Sequence, residues 1–368
     1  MNPNAVIGDY VSGMAGSTGY EDASLVLSDC FIGVEAELEH AYGVDEYRGH
    51  LLERVSEGSL HQDGVEFIFS YPLKGDLITT ALKELEELYK PCPPTTGNNT
   101  SLHVHVDVRD LTFKQLWKFI MLYTMFEVPL FKYSSPDRMD NIFCVSSKDA
   151  RIKVRRYNEL LRFVKKGDFN NFLRHADVSG RYSSMNVQSV AKFGSLEFRG
   201  HKGEWQKEPI LKWINLLMGL KKAALDDTIS WERPYLALKE RGTLDFAADV
   251  FGDHVRLLYR TSLRKDVQEG CQLARSMVNY NALRKSLVLK GCRNNKAKSL
   301  KGKFAKDTPK DVPVPLTARA LDLPETRTPY PMPINWNIAM PIGVRTGRLA
   351  GLVATSFILD DTQDGDNT

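Results

Sequence analysis

The sequence lacks long hydrophobic runs and an excess of charge of either sign. No stretch approaches the roughly 20 consecutive apolar residues that a membrane-spanning helix needs. The N-terminus has no basic start followed by an apolar core, so no signal peptide is expected. The 49 Lys and Arg residues nearly balance the 46 Asp and Glu residues. Affinity for nucleic acid would therefore require a local basic cluster.

Several common cysteine and nucleotide motifs are also missing. The five cysteines among 368 residues are scattered and form no C-x-x-C pair. This argues against a disulfide scaffold or a structural zinc site, and it predicts a protein of the reducing cytoplasm. There is no G-x-x-x-x-G-K-[ST], no G-x-G-x-x-G on a strand–helix turn and no G-x-S-x-G. Any nucleotide would therefore bind without P-loop or Rossmann geometry.

Composition divides the chain into four segments. Residues 1–29 are rich in Gly, Ser and Asp and predict a flexible N-terminal arm. Residues 30–228 mix strand and helix periods without regular β–α alternation, which predicts an α+β domain with an antiparallel sheet. Residues 229–286 predict a mostly helical extension. Residues 287–368 predict a basic, then Pro-rich, extended segment that ends in an acidic tail.

Strict alternation of polar and apolar residues predicts three strands whose polar side chains share one face of a sheet. The polar sets are Glu35, Glu37 and Glu39; His103, His105 and Asp107; and Ser195, Glu197 and Arg199. Such alternation usually marks a solvated outer face. However, a face that concentrates Glu and His invites repulsion between like charges unless a cation lies among them. Carboxylates with an imidazole suit Mg²⁺ or Mn²⁺.

A further glutamate, Glu66, lies inside the apolar run of residues 65–69. A carboxylate is costly there unless it is paired with a basic side chain or binds a cation. Both explanations are open at this point, and the second adds Glu66 to the candidate metal ligands.

Five segments then follow one another in a recognisable order. They are FIGVEAELE at 31–39, EGSL at 57–60, GVEFIFSYPL at 64–73, TSLHVHV at 100–106, and Asn186 with GSLEFR at 194–199. This series resembles the amidoligase family of carboxylate–amine ligases, which are related to glutamine synthetase and glutamate–cysteine ligase. The resemblance covers about residues 30–203. The departures are Glu57 for Asp, Ser101 for Gly and Ser195 for Thr, and none of them removes a candidate metal ligand.

The resemblance implies a glutamine synthetase-like α+β catalytic domain over residues 30–228, with a curved, mostly antiparallel sheet backed by helices. It implies an ATP- and Mg²⁺- (or Mn²⁺-) dependent ligase that forms an amide, peptide or isopeptide bond through an acyl phosphate. Amino acids or peptides would be its small-molecule substrates. Such ligases occur in bacteria and their phages, so the cytoplasm, or the host cytoplasm for a phage protein, is the expected location. Glutamine synthetase shares sites between subunits, which leaves an oligomer open.

By analogy with glutamine synthetase, the resemblance also implies two metal positions. Glu35, Glu197 and His103 would hold the metal on the nucleotide side. Glu37 and Glu66 would hold the metal on the substrate side.

The resemblance implies catalytic roles for Arg199, Glu66 and His105. His105 would lie near the ATP phosphates, and Arg199 would face the γ-phosphate, where a planar guanidinium fits phosphate oxygens. Lys192 and Arg181 flank the last strands and would contact the nucleotide.

Two other functions remain open from the residues alone. The first is a metal-dependent hydrolase that uses His103, His105 and the carboxylates. The second is a non-catalytic protein that binds nucleic acid or another polyanion through residues 284–310, where ten Lys or Arg residues stand against one acid, Asp307. Few aromatic residues lie among these charges, so base stacking is not indicated. No membrane partner is expected.

Overall fold

An open, mostly antiparallel sheet of eight strands is the central element of the computed structural model. The structure describes residues 4–42, 47–56, 60, 64–97, 99–147, 151–176 and 182–292, with the backbone alone at 151–156 and 280–292. The strands are β1 (Ser17–Thr18), β2 (Ile32–Leu38), β3 (Leu52–Val55), β4 (Val65–Phe69), β5 (Leu73–Lys74), β6 (Ser101–Asp107), β7 (Met185–Asn186) and β8 (Ser195–Lys202).

Nine α-helices accompany the sheet within the described residues. They are α1 (Asp76–Tyr89), α2 (Phe113–Ser134), α3 (Arg151–Lys166), α4 (Phe169–Ala176), α5 (Gln188–Phe193), α6 (Lys207–Leu225), α7 (Tyr235–Arg241), α8 (Thr243–Phe251) and α9 (Leu263–Cys292). In the described part of the chain, none of these helices combines the length and apolar character that crossing a membrane would require. The mixed α/β architecture with a mostly antiparallel sheet confirms that part of the predicted fold class.

Strand β2 lies inside the sheet and organises it. It pairs antiparallel with β6 on one side and with β4 on the other. Beyond β6 the sheet continues to β8 and β7, and beyond β4 it continues to β3. Past Pro72, β5 extends the β4 side of β2 and pairs in parallel with β1. Three strands rich in acidic and imidazole side chains are thus neighbours.

The apolar face of the sheet packs against helices. Val34, Val104 and Phe198 belong to one continuous core with residues of α2, α6, α8 and α9. Pro129 lies inside α2, which continues past it to Ser134. Proline removes the hydrogen bond to the carbonyl of Met125. Gly270 of α9 packs directly against that carbonyl, where a Cβ would clash.

The segment between β7 and β8 is helical. β7 is two residues long, and α5 begins at Gln188. The helix ends at Gly194, which adopts the left-handed conformation (φ 69°). This turn leads directly into β8, so a helix rather than a strand separates β7 from β8.

Residues 4–29 of the predicted N-terminal arm contact the rest of the domain. The backbone N–H of Ile7 donates to the carbonyl of Leu111, and that of Ser17 donates to the carbonyl of Pro72. Asn215 of α6 holds the backbone at Val26. The small polar residues of this segment alternate with buried apolar anchors, and these anchors dock it on the domain.

The boundary predicted at residue 228 does not coincide with a break in packing. Ala224 and Ile229 lie in the same core as Phe246 and Met277, and α9 packs against α2 and α3. Residues 284–292 of the basic segment form the end of α9. Residues 293–368 lie outside the described part of the chain.

Glu127 of α2 is a buried carboxylate that fixes the loop before α3. It accepts hydrogen bonds from the backbone N–H (2.8 Å) and hydroxyl (3.1 Å) of Ser147 and from the hydroxyl of Ser184. We expect Glu127→Ala to lower the free energy of unfolding by about 3 kcal/mol, because buried donors lose their acceptor. Urea unfolding measures this change. The control is Glu87→Ala, at an exposed position of α1, which should lower the free energy of unfolding by less than about 0.5 kcal/mol.

Candidate functional site

The polar face of the sheet is buried, not solvated. Glu35 is 0% exposed, His105 1% and Glu197 3%. Glu37, Glu66 and His103 are also buried. The interpretation of this face as an ordinary solvated surface is therefore wrong, because such charges leave water only when they are paired or bind a cation.

Strand register explains why these residues meet. Residues directly opposite in an antiparallel pair share a face and lie close together. Glu35 is opposite His103, and Glu37 is opposite Glu66. His105 is opposite Glu197, beyond an irregularity in the β6–β8 register between Leu102 and Val104.

Glu35 is the centre of the cluster. One carboxylate oxygen lies 2.7 Å from Nδ1 of His103, and the other lies 3.0 Å from Nε2 of His105. Each imidazole can donate an N–H to this carboxylate. Because Glu35 uses both oxygens in this way, it links the two histidines of β6 into one unit.

Three small polar residues hold the charged groups in position. The Ser101 hydroxyl donates to Glu37 and lies 2.7 Å from Nε2 of His103. The Ser195 hydroxyl lies 3.0 Å from Nδ1 of His105. The side-chain amide of Asn186 donates to Glu197 at 2.7 Å. Positioning by the two serines was missed from sequence, although each shares the alternating face of its strand.

Arg199 adjoins Glu197 at the far side of the cluster. One guanidinium nitrogen donates to Glu197 at 2.6 Å, and Nε donates to the carbonyl of Phe143 at 3.3 Å. Buried Arg138 donates to the backbone carbonyls of Thr100 and Arg199, at 3.3 and 3.1 Å, and so fixes β6 and β8 behind the site. The Arg199 guanidinium is thus held in one direction beside the carboxylates.

The charged groups of the cluster stabilise one another's ionised forms. Burial alone raises the pKa of Glu35, but hydrogen bonds from His103 and His105 outweigh burial and lower the pKa below its ordinary value. Burial also raises the pKa of Glu197, but the positive charges of Arg199 and His105 outweigh burial and lower the pKa below its ordinary value. Burial lowers the pKa of His105, but the hydrogen bond to Glu35 and the charge of Glu197 raise it above its ordinary value.

Among the residues that the structure describes, two sets of ligand atoms are close enough to hold a cation. Glu35, Glu66 and His103 form one set, and Glu35, His105 and Glu197 form the other; within each set the atoms lie within 4.8 Å of one another. Carboxylate oxygens with one imidazole suit Mg²⁺ or Mn²⁺. The predicted division grouped His103 with Glu197, whereas in the structure His105 lies beside Glu197.

The remaining residues near the last strands and in the matched segments have less central places. Lys192 is exposed in the last turn of α5. His201, at the end of β8, packs against the rings of Trp213 and Tyr133, and burial lowers its pKa to about 4. Arg181 and residues 57–59 of the EGSL segment lie outside the described residues.

The ion pair between Glu35 and His105 predicts how the stability of the metal-free protein depends on pH. The stabilisation from Glu35 is complete above its ordinary pKa of 4.5 and is lost as pH falls through the lowered value. The stabilisation from His105 is complete below its ordinary pKa of 6.5 and is lost as pH rises through the raised value. We therefore expect the loss of unfolding free energy in His105→Asn to be largest between these limits and to shrink at higher pH. A loss that is smallest between these limits and grows toward higher pH would contradict a charged His105.

Comparison with known protein families gives a match over part of the chain. A family model described as "Putative amidoligase enzyme" matches residues 65–221. This region contains Glu66, both histidines of β6, Glu197 and Arg199, while Glu35 and Glu37 precede it. No curated protein matches this chain in sequence. The family match confirms, over residues 65–221, the resemblance drawn from the motifs.

Proposed function

We propose that this protein is an ATP- and Mg²⁺-dependent carboxylate–amine ligase of amino acids or peptides, with a glutamine synthetase-like catalytic domain. It would phosphorylate a carboxylate and let an amine displace phosphate from the acyl phosphate. The observation that carries the proposal is the buried row Glu35–His105–Glu197–Arg199 on one sheet face. The row places carboxylates and an imidazole suited to a cation next to a fixed guanidinium.

The carboxylates of the two sets would hold Mg²⁺ or Mn²⁺. Glu35 belongs to both sets, Glu66 and His103 complete one, and His105 and Glu197 complete the other. Divalent cations bound there would supply positive charge against which phosphate oxygens can be placed. Glu37, which lies 3.7 Å from Nε2 of His103, adjoins the first set and would orient the substrate there.

Arg199 would bind the transferred phosphoryl group. Its guanidinium is always charged and offers two parallel donors to phosphate oxygens. Glu197 and the Phe143 carbonyl fix its direction before substrate binds. Such pre-orientation stabilises charge that develops in the transition state without a cost for rearrangement at that moment.

The geometry supports a ligase over a metal-dependent hydrolase. Glu35, His103 and His105 would serve either reaction. An Arg paired with a candidate metal ligand, however, fits negative charge on a phosphoryl group better than activation of water. The shared ligand Glu35 also brings the two sets together, as transfer between two bound substrates requires.

Calorimetric titration with a non-hydrolysable ATP analogue, with and without Mg²⁺, tests the nucleotide step. The expected result is binding that requires Mg²⁺ and is lost in Glu197→Gln. Glu87→Gln on the surface of α1 is the matched control and should bind like the parent protein. Absence of binding under every metal condition would contradict the proposal and favour a hydrolase. A hydrolase would bind Zn²⁺ or Mn²⁺ without responding to nucleotide.

A further inference from the structure

The N-terminal segment covers one end of the polar sheet face. We call residues 12–19 the strap; they follow the short helix Ile7–Asp9 and contain β1. The strap lies against Phe31, just before β2, and Arg109, just after β6, and it contacts Phe193, whose ring lies 5.8 Å from that of His105. It lies outside the region that matches the family model.

Arg109 clamps the strap to the sheet. Its Nε and one terminal nitrogen each donate to the Asp107 carboxylate at 2.9 Å. The other terminal nitrogen donates to the backbone carbonyls of Ser12 (3.3 Å) and Met14 (3.0 Å). The two-point contact with Asp107 fixes the guanidinium plane, so the end of β6 and the strap are held together.

Two glycines let the strap lie directly on its neighbours. Gly13 has a φ of +54°, and a Cβ there would come 2.7 Å from Arg109 Cδ and 3.0 Å from the carbonyl of Phe193. At Gly16 a Cβ would overlap the carbonyl of Pro72 and come 2.7 Å from the ring of Phe31. At these two positions the strap backbone lies in direct contact with its neighbours, with no room for a side chain.

Met14 extends the strap over the cluster itself. Its side chain packs against Ile68, as do those of Val55 and Phe193, in an apolar group separate from the main core. Ile68 is directly opposite Glu35 in the β2–β4 pair, so the two side chains share the polar face. Met14 therefore joins the β4 side of the face to α5, next to the carboxylates.

We infer that the strap is a fixed wall of the active site and that Arg109 is the positioning residue that holds it. This inference rests on the function proposed above. The wall closes the His105 end of the cluster, so nucleotide and carboxylate approach from the Arg199 side. Exclusion of water at the closed end would protect an acyl phosphate until the amine attacks.

The wall is tested first by the accessibility of His105 in Gly16→Val, where the added side chain would push the strap away. Ala15→Val is the matched control, because residue 15 is exposed. Carbethoxylation by diethyl pyrocarbonate, mapped by mass spectrometry of peptides, reads each histidine separately. We expect His105 to react about tenfold faster in Gly16→Val and in Arg109→Gln, with Ala15→Val unchanged. His103 is the internal reference and should stay protected.

Hydrogen exchange of residues 12–19 completes this test. Faster exchange of the strap with an unreactive His105 would overturn the wall. Unchanged exchange in Arg109→Gln would overturn the positioning role of Arg109. Neither readout requires metal, nucleotide or a known substrate.

The role in catalysis is read from ATP hydrolysis without an amine acceptor. Gly16→Val should hydrolyse ATP several-fold faster than the parent protein, with the same affinity for the non-hydrolysable analogue, because water reaches the phosphoryl group. Equal hydrolysis by both proteins would contradict the sealing role. A parent protein that does not bind ATP would contradict the proposed function instead. The reactivity of His105 would then be the test of whether the strap forms a wall.

Discussion

Glu35→Gln is expected to abolish divalent metal binding at both ligand sets, because Glu35 is the one residue they share. An amide keeps the size of the side chain but removes the negative charge that a hard cation requires. The apparent affinity for Mn²⁺ should fall by at least ~100-fold, and nucleotide binding that depends on metal should fall with it. Titration with Mn²⁺ followed by electron paramagnetic resonance measures free metal directly.

Single-set variants provide the comparison for Glu35→Gln. Glu66→Gln should weaken one metal position and leave the other, since Glu66 belongs only to the set with His103. Glu39→Gln, on the same side of the chain just beyond β2, belongs to neither set and should retain both positions. Retention of two metal ions in Glu35→Gln would contradict the shared-ligand geometry.

Arg199→Ala should lower the turnover of ATP by roughly a thousandfold while metal affinity changes only a few-fold. The guanidinium pairs with Glu197 but is not a metal ligand, so its loss removes stabilisation of the phosphoryl group and leaves the ligand sets in place. Single-turnover phosphate release measures the chemical step apart from binding.

Arg199→Lys separates charge from geometry. Lysine keeps the positive charge but cannot donate two parallel hydrogen bonds, so we expect activity between those of the parent and the alanine variant. Full activity in Arg199→Lys would mean that charge alone is needed. Loss of metal affinity in both variants would instead show that Arg199 supports the ligand sets and has no separate role toward phosphate.

The cluster could be predicted from the sequence because the pattern that reveals it lies within single strands. Alternation along single strands is enough to put Glu35 with Glu37 and His103 with His105 on one face. The apolar partners of these residues then determine which face packs against helices. The same alternation puts Ser195 on this face and could also have indicated Ser101, but both side chains are small and uncharged, so their positioning role did not stand out.

Features that depend on pairing between distant segments could not be predicted in this way. The proximity of His105 to Glu197 follows from the β6–β8 register and from the irregularity between Leu102 and Val104. A shift of register changes every neighbour, and no local pattern specifies it. The docking of the strap depends on Arg109, about a hundred residues away, so Gly-rich composition alone indicated a flexible arm.

The measurement that tests the central claim most directly follows oxygen from the carboxylate to phosphate. The protein is incubated with ATP, Mg²⁺ and amino acids whose carboxylates carry oxygen-18, and the released phosphate is analysed by mass spectrometry. A ligase that forms an acyl phosphate transfers one labelled oxygen to each phosphate, because the carboxylate oxygen becomes the bridge and leaves with phosphorus. Phosphate that carries oxygen only from ATP and water would contradict that account.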